Sequence, residues 1–284
     1  MPEGDTVFLA AHRLHTALAG KTLSRTDFRV PRLATADLSG ARIDRVRAVG
    51  KHLFIDYSSP EPVDSPPELV HSPPELVHSP PELVEGSIHS HLMMDGAWHV
   101  YRAGEKWRRP GFTARVVLRT GDGTEAVGFD LGILELTGDP AATVTHLGPD
   151  LLGENWDPAT AVANLAARPD RALGLALLDQ RNLAGIGNIY RSELCFLAGL
   201  HPARPVAEAD LDAVVADAHR LLTANARRAV RSTTGDHRRG RELWVYGREC
   251  RPCRRCGTPI RRGMLAGDDR ENERVIYSCA RCQP

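Results

Sequence analysis

Apolar and polar residues alternate along six segments in the first half of the chain, and this period of two is typical of half-buried β-strands. The predicted strands are 42–49, 53–57, 87–92, 97–101, 112–118 and 126–130. Ahead of them, apolar residues at helical spacing predict a helix from Thr6 to Leu18, capped by Asp5 and Thr6 and ended at Gly20. The pattern indicates a β-sandwich or a β-barrel that follows an N-terminal helix.

Helical spacing of apolar residues replaces the alternation from Asp157 onward, with Gly185, Gly187 and Gly199 between segments. The predicted helices are 159–167, 172–179, 189–198 and 209–229. The change of pattern places a boundary between 138 and 158, and 284 residues is long for one compact domain. We therefore expect an α+β protein with a β-rich first domain and a helical second domain.

A seven-residue repeat interrupts the β-rich part. Three copies run from Ser65 to Glu85, and each carries two adjacent prolines, which neither a helix nor a central strand accommodates. Residues 59–86 contain 6 acidic and no basic residues, and we expect them to form a disordered insertion between two strands. A proline-rich docking ligand is the alternative, although the segment has no PxxP with a flanking arginine.

Charge is distributed unevenly along the chain. Overall, 36 basic residues balance 36 acidic ones, which argues against a nucleic-acid partner, because lysine and arginine dominate phosphate binding. Residues 220–284, however, contain 16 arginines, no lysine and 7 acidic residues, a net charge of +9. This concentration indicates a surface that binds a polyanion, with a solvated charged face as the alternative.

Composition also limits the class of protein. The hydrophobic fraction of 42% is typical of a globular chain and excludes wholesale disorder. No apolar run approaches the ~18 residues of a membrane span, and the N-terminus is acidic where a secretory signal is basic. We expect a cytoplasmic protein without a membrane partner, whose cysteines are thiols or metal ligands rather than disulfides.

Four cysteines have the spacing of a zinc site. The two CxxC pairs, with 22 residues between them, are Cys253 with Cys256 and Cys279 with Cys282. Four thiolates at this spacing bind one zinc ion tetrahedrally and stabilise a β-hairpin too small to have its own core. Cys250 forms a third CxxC with Cys253, but Gly257 favours the first assignment, because a knuckle turn uses its conformational freedom.

The first residues of the chain offer a nucleophile. Removal of the initiator methionine leaves Pro2 as a secondary amine, and an α-amine has a reference pKa near 8, against about 10.4 for lysine. Attack of this amine on a sugar C1′ gives an iminium ion that serves as an electron sink. Glu3 is next to it and could act as general acid or base. By itself this pattern is too common to identify a function.

Five motifs occur along the chain in a fixed order. They are MPEGDT (1–6), GKHL (50–53), SHLMMDG (90–96), LLDQRNLAGIGNIYRSE (177–193) and VYGR (245–248) ahead of the cysteine pairs. Together these motifs resemble the formamidopyrimidine-DNA glycosylase and endonuclease VIII family. The glycine and aspartate that follow Pro2 and Glu3 are more similar to endonuclease VIII than to the purine-specific branch.

The resemblance implies catalytic roles for four residues. Pro2 corresponds to the nucleophile that displaces a damaged base and forms a Schiff base, and Glu3 corresponds to the proton donor of that step. Lys51 corresponds to a strand lysine that acts as general acid or base in strand cleavage and contacts phosphate. Arg274 corresponds to a hairpin arginine that contacts the phosphates around the lesion and assists the second elimination.

The resemblance also implies four DNA contacts. Asn188 matches a residue that binds backbone phosphate near a helix N-terminus in the helix-two-turn-helix element. Met94 matches the position that fills the void left by the extruded nucleotide, and His91 lies in the same motif. His146 occupies a position where endonuclease VIII has a DNA-contacting arginine.

The implied architecture has three parts. Residues 1–140 are expected to form an N-terminal catalytic β-sandwich with its helix, 141–243 a helical helix-two-turn-helix domain and 244–284 a zinc-finger hairpin with one structural zinc ion. Cys250 replaces a usual glycine of the family, which leaves the choice of thiols open. The long separation of the cysteine pairs predicts an extended hairpin.

The expected function is that of a monomeric, nucleoid-associated DNA glycosylase and abasic-site lyase of base excision repair. Its expected substrate is damaged double-stranded DNA, and single-stranded or bubble DNA is left open. The segment 233–244 is short where the purine-specific branch carries a loop over 8-oxoguanine, which favours oxidised pyrimidines as substrates. The alternatives are a purine-lesion glycosylase of the same family and a zinc-finger DNA-binding protein without catalysis.

Overall fold

The computed structural model describes residues 2–59, 85–268 and 273–284. Its helices are α1 (Gly4–Leu18), α2 (Pro140–Val144), α3 (Pro158–Ala166), α4 (Leu173–Ala176), α5 (Asn188–Leu197) and α6 (Leu211–Asn225). Its strands are β1 (Leu23–Phe28), β2 (Arg42–Val49), β3 (His52–Ser58), β4 (Glu85–His91), β5 (Ala97–Arg102), β6 (Ala114–Thr120), β7 (Thr124–Phe129), β8 (Ile133–Thr137), β9 (Ile260–Leu265) and β10 (Arg274–Cys279). The α+β class predicted from the sequence is confirmed.

Contacts divide the chain into two compact units. The β unit comprises residues 10–47 and 53–143, and the helical unit comprises residues 2–9, 48–52 and 144–284. Residues 2–9 and the segment 48–52 thus belong with the C-terminal half of the chain. The three predicted domains, with boundaries after 140 and 243, remain a prediction.

A β-sandwich forms the β unit. One sheet has the order β1-β6-β7-β5, and the other has the order β2-β3-β4-β8. Val116, Val117 and Leu118 are consecutive in β6 and all buried, so both faces of that sheet are covered. Val117 faces a cluster that includes Phe129 and, at its edge, Trp107. The sequence left a sandwich and a barrel open, and the structure has the sandwich.

The helical unit is built around α5 and α6. Its core contains residues from four helices and from the turns between them, such as Leu165, Tyr190 and Leu222. Aspartates begin two of the helices: the Asp157 carboxylate accepts from Thr160 N at 3.1 Å, and the Asp210 carboxylate accepts from Ala213 N at 3.0 Å. These caps supply acceptors for amides that a helix leaves without partners in its first turn.

The C-terminal hairpin has a small core of its own. Strands β9 and β10 pair antiparallel from Ile260 with Cys279 to Leu265 with Arg274. The core beneath them consists of Phe196, Val245, Cys253, Ile260 and Cys279. A core of so few apolar side chains is too small to stabilise a hairpin by itself. Its size is consistent with a hairpin that depends on a metal ion.

Several predicted element boundaries are wrong. The first helix begins at Gly4, so Asp5 and Thr6 lie inside its first turn and do not cap it from outside. The predicted helix 172–179 contains only the short α4. The pattern also missed β1, whose buried residues Leu23 and Phe28 are five positions apart, because a bulge shifts the register between Leu23 and Arg25.

The structure describes only the two ends of the predicted insertion. Residues 60–84, which hold nearly all of the repeat, lie outside the described residues. Glu85 and Gly86 were predicted to be part of the insertion but instead begin β4. A Cβ at Gly86 would lie 2.7 Å from Tyr57 Oη, so the strand approaches its neighbour closely at this point.

Among residues 2–59, 85–268 and 273–284, no helix has the length and apolarity that crossing a membrane requires.

Candidate active site and metal centre

The Glu3 carboxylate lies at the N-terminus of α5. It is fully buried, and it accepts hydrogen bonds from Gly187 N at 2.8 Å, Ile189 N at 2.7 Å and Tyr190 N at 3.2 Å. The residue before α5 is Gly187, which has no side chain to cap the helix. Glu3 therefore acts as the cap from a position 184 residues earlier in the sequence, and the positive end of the helix stabilises its negative charge.

Close backbone approach fixes the first residues of the chain. Gly4 N donates to Gly185 O at 2.8 Å, and a Cβ at Gly4 would lie only 2.9 Å from Gly185 Cα. A Cβ at Gly187 would lie 2.5 Å from Glu3 Cδ. The glycines of the MPEGDT and GIGN motifs are thus required by the contact between them, and this contact holds the partly buried Pro2 in place.

Lys51 lies in the turn between β2 and β3. The resemblance had implied a position inside a strand. Gly50, with φ of +57°, makes this turn, and its N–H donates to Asp150 Oδ2 at 2.9 Å. Burial lowers the pKa of the Lys51 amine, the Glu3 carboxylate opposes this, and the positive charges of Arg231 and Arg274 lower it further. The amine is therefore more readily neutral than that of an exposed lysine.

Arg231 is a site residue that the sequence did not single out. Its guanidinium donates from Nε to Asp5 Oδ2 at 2.6 Å, lies 4.7 Å from the ring centroid of Tyr190 and places Nη1 4.0 Å from Glu3 Oε1. Tyr190 Oη also donates to Asp5 Oδ2, at 2.8 Å. Asp5 thus serves as a partner for two groups beside Glu3. Nothing in the spacing distinguishes Arg231 from the other arginines of the basic segment.

Asn188 and Arg274 have side chains that are available to a ligand. Asn188 is the first residue of α5, and within the described residues its side-chain amide makes no hydrogen bond. Arg274 begins β10, is exposed and forms no ion pair with any described residue. Its charge nevertheless reaches Lys51, whose pKa it helps to lower. One unit of the protein therefore brings together Pro2, Glu3, Lys51, Asn188 and Arg274.

Two of the predicted residues lie in the β unit. His91 ends β4, and its Nδ1 accepts from Met93 N at 3.0 Å. Met94 is 58% exposed, and its neighbour Met93 is 50% exposed with φ of +51°. Two neighbouring methionines are seldom exposed on a tight turn, because apolar side chains are usually buried. Their exposure makes them available for contact with a ligand.

His146 belongs to the helical unit, where it is exposed. Its ring packs edge to face against His52, with the ring centroids 6.1 Å apart. The predicted DNA-binding residues are thus distributed over both units.

The four cysteines predicted as metal ligands converge. The Sγ atoms of Cys253, Cys256, Cys279 and Cys282 all lie within 4.8 Å of one another. Such a set of thiols fits a single tetrahedral ion. Cys250 is exposed, has φ of +60° and is not part of the cluster, which is compatible with the choice made from Gly257.

Glu193 connects α5 to the segment that leads into the cysteine cluster. It is fully buried, and it accepts from the backbone N–H groups of Trp244, Val245 and Tyr246 at 2.8, 2.9 and 2.9 Å. Burial raises the pKa of this carboxyl group, and these hydrogen bonds oppose the rise. Since the N-terminus of α5 also binds the Glu3 carboxylate, one helix positions both Glu3 and the segment that leads into the cysteines.

Two known domain families match most of the chain. Residues 1–131 match the N-terminal domain of formamidopyrimidine-DNA glycosylase, and residues 147–236 match the H2TH domain of the same enzymes. A probable endonuclease 8 2 of Streptomyces coelicolor is 48% identical over 291 residues and covers 100% of this chain and 94% of its own length. The chain belongs to the formamidopyrimidine-DNA glycosylase family.

Within this family the similar relatives carry endonuclease 8 names. The DNA-(apurinic or apyrimidinic site) lyase Nei2 of Mycolicibacterium smegmatis is 49% identical over 286 residues, with 100% of this chain and 99% of its own length covered. Endonuclease 8 of Escherichia coli strain HS is 30% identical over 302 residues, with both chains covered completely. The prediction that the chain is closer to endonuclease VIII than to the purine-specific branch is confirmed.

Solved structures of the family share the fold. MutM in complex with DNA that contains carbocyclic 8-oxo-G has a TM-score of 0.74 at 22% identity, with both chains covered completely. Lactococcus lactis formamidopyrimidine-DNA glycosylase bound to DNA with an abasic site has a TM-score of 0.74 at 20% identity, with 99% of each chain covered. The order of sandwich, helical region and cysteine hairpin is therefore that of the family.

Proposed function

We propose that this protein is a bifunctional DNA glycosylase and abasic-site lyase of base excision repair, which acts on damaged double-stranded DNA. The observation that carries the proposal is the position of Glu3, which directly follows Pro2, at the N-terminus of α5 and within electrostatic reach of a lysine with a lowered pKa. This arrangement supplies a nucleophile, a proton acceptor or donor and a second base. The names of the similar relatives support the same activity.

Base removal begins at Pro2. After the initiator methionine is removed, the proline nitrogen attacks C1′ of an extruded nucleotide, and the bond from C1′ to the base nitrogen breaks. Glu3 takes the proton that the amine loses and delivers it to the departing group. Ring opening of the sugar then leaves an iminium ion between Pro2 and C1′.

Strand cleavage uses the iminium ion as an electron sink. Lys51, more readily neutral than an exposed lysine, accepts the proton from C2′, and the 3′ phosphate leaves in a β-elimination. A second proton loss expels the 5′ phosphate in a δ-elimination, and water releases the sugar fragment from Pro2. We assign Arg274 to the phosphates at this step, since its guanidinium is exposed and forms no ion pair with described residues.

The remaining residues bind and hold DNA. We assign Asn188 to a backbone phosphate at the N-terminus of α5, where N–H groups favour anions. Met94 fills the space of the extruded nucleotide, and His91 and His146 contact the backbone around it. The four clustered cysteines would hold one structural zinc ion, which stabilises the hairpin that carries Arg274 and takes no part in the chemistry.

Borohydride trapping tests the proposal. The protein is incubated with duplexes that carry an abasic site, thymine glycol or 8-oxoguanine, and reduction of the iminium ion gives a covalent complex. We expect trapping by the wild type and a loss of at least tenfold in Pro2→Gly. A wild-type protein that binds these duplexes but forms no adduct would be a DNA-binding protein without catalysis, and the proposal would be wrong.

We also propose oxidised pyrimidines as the main substrates and a monomer as the active form. The short segment 233–244 supports the first point. Single-turnover excision should be faster on thymine glycol than on 8-oxoguanine in the same sequence, and a preference for 8-oxoguanine would assign the protein to the purine-lesion activity. Parallel reactions on bubble and single-stranded substrates measure the strand preference.

A further inference from the structure

An ionic contact holds the end of the β9–β10 hairpin farthest from the cysteines. The Arg171 guanidinium donates to Asp268 through Nε at 3.2 Å and through Nη2 at 2.6 Å, and it donates to Asp179 through Nη1 at 2.8 Å. One planar guanidinium thus binds two carboxylates at once. The Arg171 side chain is only 9% exposed, so water competes weakly for its donors.

Asp179, the other carboxylate that binds Arg171, is itself held by hydrogen bonds. Asp179 accepts from Arg181 N at 3.1 Å and pairs with Arg181 Nη2 at 2.7 Å. The Arg181 hydrogen bonds, and after them the bond from Arg171, hold the pKa of Asp179 well below its usual range. Asp179 is therefore ionised at neutral pH, and its hydrogen bond with Arg171 orients the guanidinium toward Asp268.

Apolar packing accompanies the ionic contact. Leu265, the last residue of β9, is 8% exposed, and a Cβ at Gly174 in α4 would lie 3.2 Å from its Cδ2. Arg171 precedes α4 by two residues, and Asp268 follows β9 by three residues. The hairpin is thus attached to the same short segment of the chain through Leu265 and, three residues further, through Asp268.

This attachment bears directly on Arg274. Leu265 and Arg274 are partners in the β9–β10 register and form the last pair at this end of the hairpin. Beyond this pair, the hairpin has no further ladder contact within the described residues that could fix the position of Arg274. On the strand side of Arg274, Arg191 of α5 donates from Nη2 to Val275 O. On the side of the residues that follow β9, the contact between Arg171 and Asp268 is the ionic restraint on this end of the hairpin.

We propose that Arg171 and Asp268 are positioning residues that fix the end of the hairpin and thereby the placement of Arg274 against the phosphates of bound DNA. This inference rests on the proposed function and deepens it. Neither side chain acts on the substrate directly, because both are engaged with each other, and Arg171 is almost inaccessible.

The test compares Asp268→Ala with Asp170→Ala. Asp170 lies beside Arg171 and is exposed, but its side chain makes no hydrogen bond or ion pair with described residues. Each substitution removes one negative charge from the same surface, which by electrostatics alone strengthens the binding of DNA. If Asp268 positions Arg274, Asp268→Ala weakens the binding of a duplex with a tetrahydrofuran abasic analogue by about fivefold, whereas Asp170→Ala does not.

Two further measurements separate positioning from general stability. Amide hydrogen exchange in residues 262–265 should be faster by about fivefold in Asp268→Ala and unchanged in Asp170→Ala. In single turnover with saturating enzyme on an abasic duplex, Asp268→Ala should shift the products from δ- toward β-elimination. Arg171→Lys keeps the charge but not the fork that binds two carboxylates, so it should reproduce both effects.

The outcomes distinguish this inference from the proposed function. Unchanged exchange in Asp268→Ala would show that the contact does not fix the hairpin, whatever the activity of the protein. Faster exchange with unchanged binding and an unchanged product ratio would show that Arg274 does not depend on it. A wild-type protein that cleaves no abasic site would contradict the proposed function, while the exchange measurement would still decide whether the contact holds the hairpin.

Discussion

At the scale of single residues, the site depends on polar groups that are buried with specific partners. Glu3 has three backbone N–H donors, and Lys51 is partly buried within the electrostatic influence of Arg231 and Arg274. Burying a charged group without such partners is costly, so both residues are sensitive to substitution. Substitution should lower the stability at Glu3, whose charge has partners, and raise it at Lys51, whose burial disfavours its charge.

Glu3→Gln should reduce both base excision and stability. The amide has one oxygen instead of two, so at least one N–H at the start of α5 loses its acceptor, at a cost of about 1–3 kcal/mol. Excision of thymine glycol should fall by at least a hundredfold, since a positioned acid or base contributes about 10²–10⁴ in rate. Denaturant unfolding and single-turnover kinetics measure the two effects.

The comparison with a preformed abasic site provides the control for Glu3. No base has to leave this substrate, so Glu3→Gln should lose much less activity on it than on thymine glycol. Equal losses on both substrates would assign Glu3 to holding Pro2 in place rather than to proton transfer.

Lys51→Met should abolish strand cleavage and stabilise the fold at neutral pH. The folded-state pKa of Lys51 lies below its ordinary value of 10.5, so between these two values the unfolded chain binds more protons than the folded one. The stability that this position contributes is therefore lost as pH falls from 10.5 toward the lowered pKa. Methionine removes this cost below the lowered pKa, and thermal unfolding at pH 7 should show a higher Tm.

The exposed Lys106 provides the matched control for Lys51. Lys106→Met should change neither strand cleavage nor the dependence of Tm on pH. In the wild type, the rate of β-elimination should rise with pH and level off below 10.5, because the pKa of Lys51 is lowered. A lower Tm for Lys51→Met would contradict the assigned burial cost.

At the scale of elements, helix α5 organises the helical unit. Its N-terminus binds the Glu3 carboxylate, and Glu193 within it binds the backbone of 244–246 ahead of the cysteines. Phe196, near its C-terminal end, belongs to the core under the hairpin. A disturbance of the hairpin is therefore transmitted along a rigid element toward the site.

Cys279→Ser should release zinc and loosen the hairpin, because a hairpin with so small a core depends on its metal. Cys250→Ser is the matched control, since Cys250 is exposed and lies outside the cluster. Metal analysis should find about one zinc ion per chain in the wild type and in Cys250→Ser and much less in Cys279→Ser. Zinc retained equally in both variants would contradict the assigned ligands.

Arg274→Ala separates the role of the metal from that of the arginine. It should keep the zinc ion and the thermal stability of the wild type, because the exposed guanidinium forms no ion pair with described residues. Binding of abasic DNA and the share of δ-elimination product should both fall.

At the scale of the whole molecule, the net charge of zero is the sum of a basic C-terminal part and an acidic remainder of the chain. Residues 220–284 carry a net charge of +9, while residues 59–86 contribute six acidic residues. The acidic insertion connects β3 and β4, which are neighbours in one sheet, so a short connection is enough to join them. We therefore expect the sheet to form without the repeat.

Deleting residues 65–84, which keeps the start of β4 at Glu85, should leave cleavage of an abasic duplex within about twofold of the wild type. The deletion removes three acidic residues, so binding of undamaged duplex should become slightly stronger at low salt and converge with the wild type at high salt. A complete loss of cleavage in a folded, zinc-loaded variant would show that the repeat takes part in the reaction.

The sequence alone determined the features that depend on local spacing. The two CxxC pairs predict four candidate ligands because a knuckle is set by neighbouring residues, and the structure brings these four thiols together. The ordered motifs identified the family and its endonuclease VIII branch. Alternating and helical patterns located most strands and helices, because burial on one face imposes its period on the sequence.

Only the tertiary structure decided which distant residues meet. Glu3 caps a helix that begins at Asn188, Arg231 reaches Asp5, and Arg171 binds Asp268, and no local pattern encodes such partners. Long-range hydrogen bonds and ion pairs depend on how the elements pack, whereas periodicity reports only which face of an element is buried. The sequence therefore identified the catalytic candidates, and the packing of the helical unit determined how they are held together.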